Sequence, residues 1–321
     1  MNRRVFLSSA GAIVLAGCPA DGDQEGSDNG TDEAKGIEEN DEVLNETYEH
    51  LETAGEELET QAELSFETDP NDSLSISGIE TGIENAEAAL ADFDEDSASD
   101  EQLARFKNSE RAIVYLKDAV AVLVELENGI NALDTAVSYE NNERFADAAD
   151  QMEVATDHFV ETESLVDDVA TSWDELNAEQ FGANNVDLAT GADDIDHLKE
   201  ICNAYARFSE AGIEFYLGVK AYFEGTDLFG QERFSAASSA FSDASDNLGT
   251  ANQRYKNAET NVPQSFQNDF IEMTCLTDAL HESSVLFAEA SDAAENRDWE
   301  TAETRAEEAE AALDVSCGER V

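Results

Sequence analysis

Only three prolines, Pro19, Pro70 and Pro263, interrupt the 321 residues. Proline fixes φ and removes an amide donor, so helices rarely run through it. Elsewhere apolar residues recur at helical spacing, and alternating β-branched runs are absent. The pattern predicts an all-α protein of about eight helices in antiparallel hairpins, stacked as a short solenoid or an irregular bundle. The expected helices cover 38–64, 75–93, 100–140, 143–171, 192–225, 231–257, 264–295 and 298–315. Pro70 and Pro263 fall in the expected loops. Ser99-Asp100-Glu101-Gln102 has the spacing of a capping box, and Asp298 is placed to cap the last helix.

The charge is the second constraint. There are 75 acidic residues against 17 basic ones, a net charge of −58, and the acids are spread along the whole chain. Such a surface repels itself unless salt screens it; molar salt shortens the Debye length to about 3 Å. With 41% hydrophobic residues the chain still has the material for a core. Without a basic patch to neutralise phosphates, nucleic-acid binding is disfavoured. The segment 19–36 is acidic and glycine-rich with almost nothing apolar, which predicts a tether.

The N-terminus carries an address. Arg3 and Arg4 precede Val5-Phe6-Leu7, and a short apolar run ends in Leu15-Ala16-Gly17-Cys18. This resembles a twin-arginine export signal followed by a lipobox, and the composition resembles exported haloarchaeal lipoproteins. The resemblance implies a signal peptide over 1–17, a lipidated Cys18 opening an acidic tether over 18–37, and a helical domain over 38–321. It implies residence on the outer face of the cytoplasmic membrane, held there by the lipid. Loss of Arg3 and Arg4 with the leader leaves 75 acids and 15 bases, a net charge of −60. Asn29, Asn45 and Asn71 head glycosylation sequons whose occupancy stays open.

A repeat organises the rest. Phe145, Ala148, Met152 and Ala155 recur as Phe234, Ala237, Phe241 and Ala244, then as Trp299, Ala302, Ala306 and Ala309. A fainter copy is Ile79, Gly82, Ala86 and Ala89. Each set lies on one helical stripe whose small residues admit a neighbouring helix closely. Two copies share a lead-in, Glu143-Arg144-Phe145 and Glu232-Arg233-Phe234. The stripe resembles the second helix of a tetratricopeptide repeat, with Tyr139 in the place of that family's first-helix tyrosine. The spacing departs from it: successive copies lie 66, 89 and 65 residues apart, against about 34 in the family. Residues 172–191 account for the longest step. An irregular bundle with chance similarity remains the alternative.

Reactive constellations are scarce. Asp194 with His197, and Asp278 with His281, place a carboxylate and an imidazole on one helical face, but in so acidic a chain such pairs are expected by chance. No metal or cofactor site is expected, and no catalytic residue is singled out. Cys275 and Cys317 lie 21 residues either side of Asn296, so a hairpin turning there brings them level and predicts a disulfide; Cys202 with Cys275 is the competing pair. Cys202 otherwise reads as a core thiol. Nine of the 25 aromatics fall between 205 and 241. Tyr205, Phe208, Tyr216, Tyr222 and Phe229 are candidates for a binding groove, with a core of large rings as the competing reading. The expected role is a protein–protein interaction or scaffold module with envelope proteins as partners. The alternatives are a solute-binding or transporter-accessory lipoprotein and, less readily, an enzyme.

Overall fold

The computed structural model describes residues 32–67, 75–177, 180, 188–314 and 317. These are helical almost throughout, as eight α-helices: α1 (Asp32–Glu67), α2 (Ser77–Leu90), α3 (Asp100–Glu140), α4 (Phe145–Asp174), α5 (Leu188–Gly230), α6 (Phe234–Ala258), α7 (Gln264–Glu295) and α8 (Trp299–Ala312). The architecture is an all-α bundle of hairpins, and its elements match the sequence expectation to within a few residues at most ends. The main difference lies at the N-terminus. Helix α1 begins at Asp32, inside the stretch read as tether, because Asp32, Glu33 and Ala34 suit a first helical turn. Among the described residues no helix is long and apolar enough to cross a membrane.

Read from sequence as one helical domain, these residues pack as two compact units. One comprises the described parts of Asn128–Glu161 and Glu200–Val321, the other those of Asn2–Glu127 and Thr162–Lys199. Helices α3, α4 and α5, at 41, 30 and 43 residues, contribute to both.

In the second of these units, α1 and α2 meet closely. A Cβ on Gly82 would lie 2.8 Å from the Ala54 Cβ, so only glycine permits this approach. Buried Asn40 fixes the loop after α2, donating to the Asp94 carbonyl and accepting from its amide, both at 2.9 Å. The capping box forms reciprocally: the Gln102 amide donates to Ser99 Oγ at 3.2 Å, and the Ser99 amide to Gln102 Oε1 at 3.0 Å. Tyr115 packs on Trp173 with centroids 5.0 Å apart, and a Cβ on Gly191 would collide with that indole.

In the first unit, three hairpin turns share one geometry. Glu143, Glu232 and Arg297 adopt φ of 57°, 60° and 63°. In each turn the next amide reaches back five residues: Arg144 to the Tyr139 carbonyl, Arg233 to Leu228, Asp298 to Ala293. The left-handed residue itself reaches back three, to Glu140, Phe229 and Ala294. This is the Schellman ending, which usually recruits glycine. One residue after each back-bonded amide, a second helix starts on an aromatic ring: Phe145, Phe234, Trp299. Within the repeated stripe Ala148, Ala155, Ala237, Phe241, Ala244 and Ala309 are fully enclosed, whereas its leading rings Phe145 and Phe234 are half-buried and Trp299 is exposed.

Rings join one hairpin to the next. Phe145 stacks on Phe223 at 5.2 Å, Phe159 on Tyr205 at 4.9 Å, and Phe241 on Phe287 at 5.1 Å. Phe234 meets Trp299 edge-on at 5.8 Å. These offset and edge arrangements are the favoured ones for aromatic pairs.

Candidate functional site

The five rings read as a groove belong to the interior instead. Tyr205 and Tyr216 are buried, and Phe208, Tyr222 and Phe229 are half-buried against other rings. Tyr205 lies between Phe159 and Phe266, Phe208 contacts Tyr255 and Phe270, and Phe229 contacts Phe234 and Phe287. The Tyr216 hydroxyl donates to Glu140 Oε2 at 2.8 Å, and the Tyr222 hydroxyl meets Ser283 Oγ at 3.1 Å. Burial, and then the Glu140 charge, push the Tyr216 phenol far above its usual range, which marks a structural hydroxyl. The physical reason for the correction is size: large rings spaced to fall between helices fill the interface.

His281 serves helix packing. His281 Nδ1 lies 2.9 Å from the Ser245 carbonyl and 3.2 Å from its hydroxyl, tying α7 to α6. With Nδ1 donating to that carbonyl, it is not the base that would activate Ser245. Asp194 stands near buried Tyr115, and burial raises its carboxyl above the ordinary range, followed by the charge of Asp193. Among the described residues no group of three or more His, Cys, Asp or Glu is placed to hold a metal.

Cys275 and Cys317 are joined, with Cα atoms 5.6 Å apart, and Cys202 is a buried thiol. Helix α8 ends at Ala312, so Cys317 lies beyond the helical arm of the hairpin. Arg3, Arg4 and Cys18 lie outside the described residues, as do Asn29 and Asn71. Asn45 sits on α1, where its Oδ1 accepts from Arg105 at 3.0 Å. The sequon's Thr47 is fully buried with its hydroxyl on the Val43 carbonyl, so the folded helix withholds it from a modifying enzyme.

What the structure adds is the turn end of the hairpins in the first unit. Phe223 and Trp299 are 50% and 58% exposed, among the most exposed large apolar side chains described. Between the α5–α6 and α7–α8 turns lies an open cleft of about 470 Å³. Phe234 and Trp299 form its apolar wall, and Arg233, Arg297, Glu232 and Glu295 its polar rim. None of these was singled out as a site residue from sequence. The shared Glu-Arg-Phe lead-in was the available signal, since matching turns place matching residues at one end.

No family model, curated protein or solved structure matches this chain.

Proposed function

We propose that this chain is a protein–protein interaction module, lipid-anchored through Cys18 on the outer face of the cytoplasmic membrane after export directed by Arg3 and Arg4. Its partners are cell-envelope proteins, and its role is to bind rather than to catalyse. The observation that supports this best is the threefold turn at Glu143, Glu232 and Arg297. Regularly repeated hairpins, as in tetratricopeptide-like arrays, offer extended faces that commonly hold other proteins. The step from fold to role is by analogy, and exposed Phe223 and Trp299 at the turn end add the apolar anchors that interfaces use.

Two measurements test the reading. Cys18→Ser should move the protein from the membrane fraction to the medium, and lysine at both Arg3 and Arg4 should hold it inside the cell. A Cys18→Ser protein that still pellets with membranes in detergent-free high salt contradicts the anchor. A photocrosslinker at Phe223, activated in intact cells at native salt, should give one discrete adduct with an envelope protein. No adduct, or an indiscriminate smear, contradicts the module.

A further inference from the structure

We propose that the cleft between the α5–α6 and α7–α8 turns binds a carboxylate-bearing segment of a partner protein, gripped by Arg233 and Arg297 against the rings of Phe234 and Trp299. The inference deepens the interaction-module reading, and rests on it for the ligand being a protein segment.

The first observation is that these guanidinium groups are uncommitted. Arg105, Arg111, Arg144, Arg254 and Arg305 each pair with a carboxylate of this chain. Arg233 and Arg297 share their cleft with Glu232 and Glu295, yet neither forms an ion pair within 4.0 Å among the described residues. In a chain with 75 acids and 17 bases, two free arginines facing one cleft are conspicuous.

The hairpins themselves supply the second observation. Arg144 holds in the first turn the place that Arg233 holds in the second. It lies over the Tyr139 ring, 4.2 Å from its centroid, and donates to Asp147 Oδ2 at 2.7 Å. At the corresponding positions 89 residues on stand Leu228 and Ala236. Both groups that occupy Arg144 are thus missing around Arg233, and Ala236 lines the cleft instead. Helix α6 also starts without a side-chain cap or an acidic residue in its first turn, whereas Asp298 caps α8. The positive end of α6 therefore adds to the field of the arginines.

The chemistry of the ligand follows. A planar guanidinium fork matches a carboxylate in a bidentate pair, a geometry that a lone ammonium does not offer. The exposed Trp299 indole beside the half-buried Phe234 ring favours an anion carried by a chain with apolar side groups over a bare inorganic one. The cleft's own acids and bases balance, which makes it less repulsive to an acidic segment than the rest of the surface. Molar salt cuts the long-range repulsion to about 3 Å and leaves the contact pairs.

The test uses purified full-length protein in about 2 M KCl. The probe is a blocked pentapeptide of four glutamates around a central phenylalanine. Emission from exposed Trp299 reports binding against the steady background of buried Trp173. The glutamate peptide should bind saturably and its glutamine counterpart should not. Arg233→Gln and Arg297→Gln should each weaken binding about tenfold or more, the scale of a lost charge-assisted pair. Arg207→Gln, which removes an exposed guanidinium elsewhere, should bind as the parent does. Both cleft positions are exposed, and unchanged circular dichroism melts would exclude unfolding as the cause. No saturable binding, equal binding of the glutamine peptide, equal weakening by Arg207→Gln, or displacement by equimolar inorganic phosphate would each overturn the proposal. None of these touches the crosslinking result, on which the broader reading stands or falls.

Discussion

Three left-handed residues without glycine invite a direct test of backbone strain. Glu143, Glu232 and Arg297 sit at φ near 60°, where a Cβ crowds the following carbonyl at about 1–2 kcal/mol per residue. Glycine removes that crowding but gives up about 0.5–1 kcal/mol through its freer unfolded chain. The net expectation is a gain of roughly 0.5–1 kcal/mol per substitution. For a chain of this size that corresponds to about 1–2 °C in melting temperature. Glu143→Gly should add independently to either of the others. Glu232→Gly and Arg297→Gly share a cleft and need not add.

Charge provides the discriminating control. On a surface of net charge −58, removing a glutamate relieves repulsion and removing an arginine increases it. An electrostatic account therefore predicts that Arg297→Gly destabilises and that Glu232→Gln does as much good as Glu232→Gly. The backbone account predicts that all three glycine variants stabilise and that Glu232→Gln does little. Urea unfolding followed by far-ultraviolet circular dichroism, at one fixed KCl concentration, separates the two. A lowered midpoint for Arg297→Gly, or a Glu232→Gln midpoint matching that of Glu232→Gly, would refute the strain argument.

Further expectations follow from single contacts. Cys317→Ser opens a cross-link spanning 42 residues, worth up to ~4 kcal/mol in the chain-entropy model; since α8 buries only Ala302 and Ala309, amide exchange over Trp299–Ala312 should accelerate most. Gly82→Ala forces a Cβ to 2.8 Å from that of Ala54 and should cost about 1–3 kcal/mol in urea unfolding, while Gly230→Ala meets nothing within 4 Å and should be neutral or stabilising by under about 1 kcal/mol. Burial, opposed by a Ser172 hydrogen bond and reinforced by Asp168, raises the Asp118 carboxyl above its ordinary value. Protonation then favours the folded state, so this contribution is present at low pH and lost as pH rises through the folded value. Asp118→Asn should accordingly raise the melting temperature at neutral pH and flatten its slope toward acid; an unchanged slope would count against it.

What was legible in the sequence was mostly what depends on near neighbours, together with the Cys275–Cys317 bridge, which equal spacing from a turn at Asn296 brought level. Helix limits followed from periodicity and from caps such as Ser99 with Gln102, where donor and acceptor are three residues apart. The buried stripe of Ala148, Met152 and Ala155 followed from helical spacing alone. Three things did not follow. The division of the described residues into two units falls after Glu127, Glu161 and Lys199, inside α3, α4 and α5, where unbroken helices leave no change of composition to read. The left-handed turns carry Glu and Arg where glycine is the usual signal. The aromatic residues between 205 and 241 revealed their number but not which rings would face each other.

The cleft shows why the last kind of information is hard to extract. Arg144 and Arg233 occupy the same place in the same turn after the same glutamate, so residue type alone assigns them one role. Their surroundings differ at two offsets, five residues back and three residues on. Tyr139 and Asp147 engage the first guanidinium, and Leu228 and Ala236 leave the second without either partner. Those offsets acquire meaning only from the turn, which folds the preceding helix end and the first turn of the next helix around one side chain. Trp299, 65 residues beyond Phe234, completes the site from another hairpin. Substituting Ala236→Asp together with Leu228→Tyr would recreate the first turn's surroundings around Arg233. Peptide binding should then fall as far as it does in Arg233→Gln, although the arginine is still present.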